Sequence, residues 1–312
     1  MTEQRTIDER YMRRCLELAS CGFLNAKPNP MVGAVIVWND TIIGEGYHVK
    51  YGEGHAEVNA FAAVKKEDED KLSASTLYVS LEPCSHHGKT PPCADLIVKK
   101  GVRRVVVGCV DPFAQVQGRG IKKLQAAGVE VCVGVLEKEC LQLNGRFITF
   151  HTQRRPYIIL KWAKTANGFL DDHFRPLAIS SPFTQMLSHK LRAENDAILV
   201  GRITDEREHP SLNVRSWSGR DPKRLVLGKG MKIENLLSRL YEEKIQSLIV
   251  EGGRATLQSF IDGGWWDEIR VETAPLIVSG GTPAPTLPNS IYIAGQENYD
   301  NREIITYKKS SS

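Results

Sequence analysis

The chain has 312 residues, which is enough for two domains of ordinary size. Its apolar fraction of 41%, charged fraction of 25% and net charge of +4 are typical of a soluble globular protein, and the scattered basic residues give no indication of a nucleic-acid-binding surface. The sequence lacks an apolar run long enough for a membrane span and the apolar core of a signal peptide, and seven cysteines, an odd number, favour free thiols in the cytoplasm over a disulfide framework.

Helices and strands are predicted to alternate through the first half of the chain. The predicted helices are 9–20, 56–66, 93–100, 121–127 and 137–152, and the predicted strands are 32–37, 42–47, 76–81, 104–110 and 129–135. This alternation indicates an α/β layered domain.

A domain boundary is predicted after residue 152, because Pro156 ends the preceding helix and a new strand begins at Tyr157. The expected domains are therefore 1–152 and 153–312. In the second, strands are predicted at 157–162, 197–201, 225–227, 247–250 and 268–278, helices at 183–193, 233–243 and 255–262, and a frayed end from 308.

One group of residues in the first half has the composition of an open zinc site. His55, Cys84 and Cys93 supply one imidazole and two thiolates, and zinc with three protein ligands keeps a fourth position for water. Glu57 is the predicted proton shuttle. Both His55 and Glu57 can face one metal only at an irregular first helical turn, since residues two apart on a regular helix point in different directions.

Two non-catalytic interpretations remain open. In the first, His55, Cys84 and Cys93 are unrelated buried residues, as we expect of the other five cysteines. In the second, the zinc is purely structural, which leaves Glu57 without a role. The order of residues favours the catalytic site, because H-x-E followed by P-C-x-x-C is typical of zinc nucleobase deaminases. Here eight residues, Ser85–Pro92, separate the two cysteines instead of two.

Longer motifs resemble one family closely. The segments are PNPMVGAVIV (28–37), GEGYH (44–48), HAEV (55–58) and LEPCSHHGKTPPC (81–93), and they resemble the bifunctional riboflavin-biosynthesis deaminase/reductase. The resemblance implies a cytidine-deaminase-like three-layer α/β/α domain followed by a dihydrofolate-reductase-like α/β domain. It also implies zinc-dependent deamination of a diaminopyrimidinone ribosylamine 5′-phosphate, followed by reduction of its ribosyl group to a ribityl chain by NADPH.

The resemblance also assigns substrate residues in the first domain. It implies that Asn29 and His48 orient the pyrimidine, and that Lys89, Asp111 and Arg119 hold the ribose and phosphate, the last within a Gly118-Arg119-Gly120 turn. One departure is Phe113-Ala114, where the family usually has Asn-Pro.

In the second domain, glycines at a strand-to-helix turn suit a phosphate. By resemblance, the NADPH-binding residues are Lys161, Thr204, Glu208, Gly252 and Gly253, and the substrate-facing residues are Arg192, Leu212, Arg215 and Glu251. The family usually has aspartate at Glu208 and Asn167 and tryptophan at Ala178, and the stretch 227–247 is shorter than usual.

We expect an active reductase, a small-molecule substrate, self-association through the reductase domain, and neither a nucleic-acid nor a membrane partner. The alternatives are a deaminase with a degenerate, structural or dimerising second domain, a nucleic-acid-acting zinc deaminase, and a non-catalytic zinc-stabilised binding module.

Overall fold

The computed structural model describes residues 3–85, 91–112, 117–175 and 177–310. It divides into two compact units, Met1–Gln153 and Arg154–Ser312. In the described part of the chain, no helix has both the length and the apolar character needed to cross a membrane.

The first unit is a five-stranded sheet between two layers of helices, in the strand order β2-β1-β3-β4-β5. Its strands are β1 Gly33–Trp38, β2 Thr41–Tyr47, β3 Thr76–Leu81, β4 Arg104–Cys109 and β5 Glu130–Val133. Its helices are α1 Glu3–Ser20, α2 Ala56–Ala62, α3 Cys93–Lys99, α4 Arg119–Ala126, α5 Glu137–Leu143 and α6 Gly145–Gln153, with a 3₁₀ segment at Lys66–Ala74.

The apolar strands of this sheet are buried on both faces. One core joins the sheet to α2, α3 and α4 through residues such as Ala60, Ile97 and Leu124, and the other joins it to α1 and α5 through Met12 and Cys140. The three-layer α/β/α prediction is confirmed. Because β3 and β4 are parallel neighbours, the segments that follow them leave the same edge of the sheet.

The second unit is a seven-stranded mixed sheet in the order β11-β12-β10-β6-β9-β7-β8. The strands are β6 Tyr157–Thr165, β7 Ala197–Gly201, β8 Lys223–Leu227, β9 Ser247–Val250, β10 Glu268–Ala274, β11 Ile291–Tyr299 and β12 Arg302–Lys309. The helices are α7 Pro182–Ala193, α8 Arg202–Glu208, α9 Ile233–Glu242 and α10 Arg254–Asp262. The α/β prediction is confirmed here too.

Several predicted elements differ in the structure. The helix expected over 56–66 ends at Ala62. The single helix expected over 137–152 is two, because Asn144 leaves the helix and its amide pairs with both main-chain groups of Met31, at 2.8 and 2.9 Å. The strand expected to reach 278 ends at Ala274. Residues 308 and 309, which we expected to fray, instead form the end of β12, which pairs with β11; neither strand was predicted.

Candidate zinc centre and reductase cleft

The three predicted metal ligands converge at one edge of the first sheet. His55 Nδ1 lies 3.5 Å from Cys84 Sγ and 3.4 Å from Cys93 Sγ, and the three ligand atoms lie within 4.8 Å of one another. Tetrahedral zinc, with bonds of about 2.0–2.3 Å, would hold a nitrogen and a sulfur ligand about 3.6 Å apart. The donor set and its spacing therefore fit zinc.

The local chain path explains this convergence. His55 precedes α2 in an extended conformation, with φ −70° and ψ 167°, so its side chain is out of phase with the helix that Glu57 enters. Cys84 follows β3, and Cys93 is the first residue of α3, where its backbone N–H donates to Cys84 Sγ at 3.3 Å. The irregular first turn that the sequence requires is present.

The electrostatics of the cluster favour a thiolate. Hydrogen bonds from Cys93 and His55 outweigh burial and lower the pKa of Cys84 to about 4. The pKa of Cys93 is raised, because it shares its proton with Cys84 and is buried. A bound cation would keep Cys84 as a thiolate and displace the proton from Cys93.

Glu57 is buried beside the cluster and is 3% exposed. Burial, together with the negative charge of Cys84, raises its pKa to about 7, and its carboxyl exchanges a hydrogen bond with Cys93. A carboxyl group facing the thiols is positioned to transfer protons at the metal.

His48 and Asn29 form a hydrogen bond with each other. The His48 ring lies between the Gly54 carbonyl, 3.1 Å from Nδ1, and the Asn29 amide nitrogen, 3.0 Å from Nε2. Nδ1 must donate to the carbonyl, so Nε2 accepts from Asn29. Burial lowers the pKa of His48, which favours this neutral form. The Asn29 amide oxygen therefore remains as the acceptor that the pair presents.

Asp111 and Arg119 lie on the segment beside the zinc-ligand loop. Asp111 is buried, Arg119 is exposed, and the backbone N–H groups of Asp111, Gly118 and Gly120 donate to the Glu82 carboxylate. Lys89 lies outside the described residues, as do Phe113 and Ala114. Sequence reasoning missed Glu82, although its place directly before Pro83-Cys84 was a usable signal.

The second unit contains a cleft of about 920 Å³, a size suited to a large cofactor. Its lining includes all five predicted NADPH residues, together with Glu251: Lys161, Thr204, Glu208, Gly252 and Gly253. The cleft thus brings these predicted residues together from three separate parts of the chain: β6, α8 and the turn between β9 and α10.

The turn beside this cleft contains one glycine, Gly252, that leaves no room for a side chain. A Cβ on Gly252 would lie 2.8 Å from Thr256 Cβ, and the Gly253 N–H donates to Thr204 Oγ1 at 3.1 Å. Helix α10 begins at the next residue, Arg254, so its positive dipole end faces the turn. Such a turn suits an anionic phosphate.

The four predicted substrate residues of the reductase fall into two linked groups. Arg192 Nη2 donates to Glu251 Oε2 at 2.7 Å, and Glu251 lines the cleft. Leu212 is buried with a left-handed φ of 52°, and the exposed Arg215 donates to its neighbour Asn213 Oδ1 at 3.0 Å. Neither Leu212 nor Arg215 lines the cleft.

His189, which sequence reasoning also missed, joins these groups. Its Nδ1 lies 2.8 Å from the Asn213 carbonyl oxygen, which Arg192 also approaches at 3.4 Å. His189 and Arg192 are three residues apart on α7 and so share one face of the helix. This spacing could have indicated that the two side chains contact the same segment.

Two protein-family models match the chain. The cytidine and deoxycytidylate deaminase zinc-binding region matches residues 5–109, and the RibD C-terminal domain matches residues 156–295.

Curated relatives match along most of the chain. The riboflavin biosynthesis protein RibD of Aquifex aeolicus is 38% identical over 89% of this chain and 89% of its own length, and that of Escherichia coli is 42% identical over 70% and 59%.

Solved structures match as well. A Thermotoga maritima diaminohydroxyphosphoribosylaminopyrimidine deaminase/5-amino-6-(5-phosphoribosylamino)uracil reductase is similar at TM-score 0.88 and 32% identity, covering 98% of this chain and 100% of that one. A structure of Acinetobacter baumannii RibD gives a TM-score of 0.86 at 28% identity, with coverage of 98% and 100%.

Proposed function

Because this chain belongs to the RibD family, the bifunctional deaminase and reductase of riboflavin biosynthesis, we propose that it catalyses two consecutive steps on one phosphoribosyl pyrimidine. The first replaces the ring amine of a diaminopyrimidinone ribosylamine 5′-phosphate by oxygen. The second reduces the ribosyl group of that product to a ribityl chain. We assign the steps to residues 1–152 and 153–312.

The observation that carries the deaminase assignment is the His55, Cys84 and Cys93 cluster with Glu57 buried beside it. Zinc bound by these three ligands supplies an activated water molecule. Glu57 accepts a proton from the attacking water and donates a proton to the departing amine, which leaves as ammonia.

The remaining deaminase residues bind and orient the substrate. The Asn29 amide oxygen accepts from the pyrimidine, and His48 fixes the amide in that orientation. We assign the ribose and phosphate to Lys89, Asp111 and Arg119. Because Arg119 is exposed, and the described residues include no acidic partner for it, its guanidinium is available to a phosphate.

The reductase assignment depends on the cleft and its glycine turn. NADPH, when bound, supplies the hydride for reduction. Lys161, Thr204 and Glu208 line its site, and Gly252 and Gly253 let the backbone approach its phosphates at the start of α10. We assign Arg192, Leu212, Arg215 and Glu251 to the substrate side.

The two half-reactions can be tested separately on the purified chain. With the diaminopyrimidinone substrate and no NADPH, we expect release of ammonia. With the deaminated intermediate, we expect oxidation of NADPH. A zinc-loaded protein that releases no ammonia would overturn the deaminase assignment, and absence of NADPH oxidation above background would reduce the second unit to a degenerate lobe.

We further propose self-association through the reductase unit and a cytoplasmic location. All seven cysteines are free, as in a reducing compartment. Strand β11 is a sheet edge with Tyr292 and Ile293 exposed, which suits pairing with a second copy of this chain. Light scattering of the full chain should give a mass that is a multiple of the mass of one chain, and Ile293→Lys should lower that measured mass. A monomeric wild type would overturn this proposal.

A further inference from the structure

The side chain of Glu82 is buried in a site built from backbone groups. The residue is 4% exposed, and no lysine or arginine in the described ranges forms an ion pair with its carboxylate. Four backbone N–H groups surround it instead. Oε1 accepts from Gly120 at 2.8 Å and Ile121 at 3.4 Å, and Oε2 accepts from Gly118 at 2.9 Å and Asp111 at 3.2 Å.

This arrangement places an internal anion at the start of a helix. Helix α4 begins at Arg119, so the donors from Gly118, Gly120 and Ile121 belong to its first turn, where the helix dipole favours negative charge. A glycine-rich helix start normally leaves such donors free for a phosphate. Here Glu82 uses them, so an incoming phosphate would find the Arg119 side chain rather than the backbone.

The segment before the zinc ligand Cys84 also packs directly against the start of α4. Glu82 and Pro83 directly precede the ligand Cys84, and a Cβ built on Gly120 would lie 1.9 Å from the Pro83 carbonyl oxygen. Only glycine permits this approach. The backbone of Arg119 is thereby held next to the zinc-ligand loop.

We propose that Glu82 is a positioning residue of the deaminase, which fixes the start of α4 so that Arg119 meets the substrate phosphate. Glu82 itself touches neither the substrate nor the metal. This inference rests on the proposed function, since it names how that site holds its substrate. It predicts an effect on substrate binding that passes through Arg119 and leaves zinc in place.

The test is a double-mutant cycle on the full, zinc-loaded chain. Glu82→Gln keeps the shape of the side chain but turns an amide N–H toward backbone N–H donors. Loss of a charge-assisted phosphate contact should raise the deaminase KM by about tenfold to a hundredfold, with kcat changed much less. Arg119→Ala should raise KM similarly, and the double variant should be no worse than Arg119→Ala alone.

Controls separate this outcome from misfolding. Zinc content and NADPH oxidation with the deaminated intermediate should match the wild type. Glu130 is the first residue of β5, so it lies at the amino ends of the parallel strands, whereas Glu82 follows the carboxyl end of β3. Glu130→Gln should leave deaminase kinetics unchanged. If Glu82→Gln does not fold, Gly120→Ala replaces it, because its methyl group forces α4 away from Pro83 while Glu82 stays intact.

Two kinds of failure are distinguishable. A wild type that releases no ammonia defeats the proposed function itself. An active wild type overturns the positioning role if Glu82→Gln has a normal KM, if it loses zinc, or if its effect adds fully to that of Arg119→Ala.

Discussion

Removing one partner of the Arg192–Glu251 ion pair should destabilise the reductase unit strongly. The charged atoms are 2.7 Å apart, and the side chains are 13% and 11% exposed. At an effective dielectric of about 20, that separation gives about 6 kcal/mol of attraction, much of which offsets the loss of hydration. Glu251→Ala leaves a buried guanidinium without its carboxylate, so we expect a cost of about 3–5 kcal/mol.

The measurement is urea unfolding followed by tryptophan fluorescence, because Trp162 and Trp266 belong to the core of this unit and Trp265 packs against it. Ammonia release, a property of the other unit, should remain normal, while NADPH oxidation is lost. Replacing both partners by methionine should cost less than the sum of the single replacements, since no buried charge is then left alone.

A matched control is available in the same unit, on helix α8. Arg202 and Glu206 are also 2.7 Å apart, but their side chains are 46% and 57% exposed. Glu206→Ala should therefore cost no more than about 0.5 kcal/mol. If Glu251→Ala costs as little as Glu206→Ala, the argument from burial is wrong.

Three further predictions concern the deaminase unit. Glu57→Gln should retain zinc by elemental analysis but lose about 10²–10⁴-fold in ammonia release, and loss of zinc would contradict the shuttle role. His48→Ala should keep zinc and raise KM about tenfold, because the Asn29 amide loses the partner that orients it; an unchanged KM would contradict this. Asp8→Asn should lower the melting temperature at neutral pH. Burial raises the pKa of Asp8, but hydrogen bonds from Arg104 and others outweigh it, so the folded pKa lies below the ordinary value. Stability from Asp8 is present above the unfolded pKa of about 3.9 and is lost as the pH falls through the folded pKa. The melting temperatures of the wild type and Asp8→Asn should therefore become equal at that low pH; a difference that stays constant with pH would contradict this.

The sequence predicted the metal cluster because its ligands carry chemistry that few other roles explain. It also predicted the irregular turn at His55, since helical geometry forbids the alternative. It could not predict that both nitrogens of His48 have protein partners, or that Glu82 takes the donors of Gly118 and Gly120. Those facts depend on which loops meet at the edge of the sheet, and residues 82 and 118 are brought together only by the pairing of β3 with β4.

The missed hairpin of the second unit has a local cause. Strand β11 has exposed side chains at most positions, so it lacks the apolar alternation by which a half-buried strand is recognised. The turn between β11 and β12, in contrast, could have been predicted from the sequence. Asp300 and Asn301 adopt left-handed φ values of 49° and 60°, and such residue pairs favour a two-residue hairpin.

The stretch 227–247 after β8, which the sequence predicts to be shorter than is usual in the family, does not by itself argue against an active reductase. Strand β8 is the last strand of the sheet, whereas the glycine turn follows β9, which lies between β6 and β7. Shortening therefore falls at the edge, and α9 still returns the chain from β8 to β9. Gly253 contacts Thr204, and Gly252 packs against Thr256. The similarity to the Thermotoga maritima structure, which extends over 98% of this chain, includes this region of the fold. A shorter 227–247 stretch therefore leaves the predicted phosphate-binding turn in place.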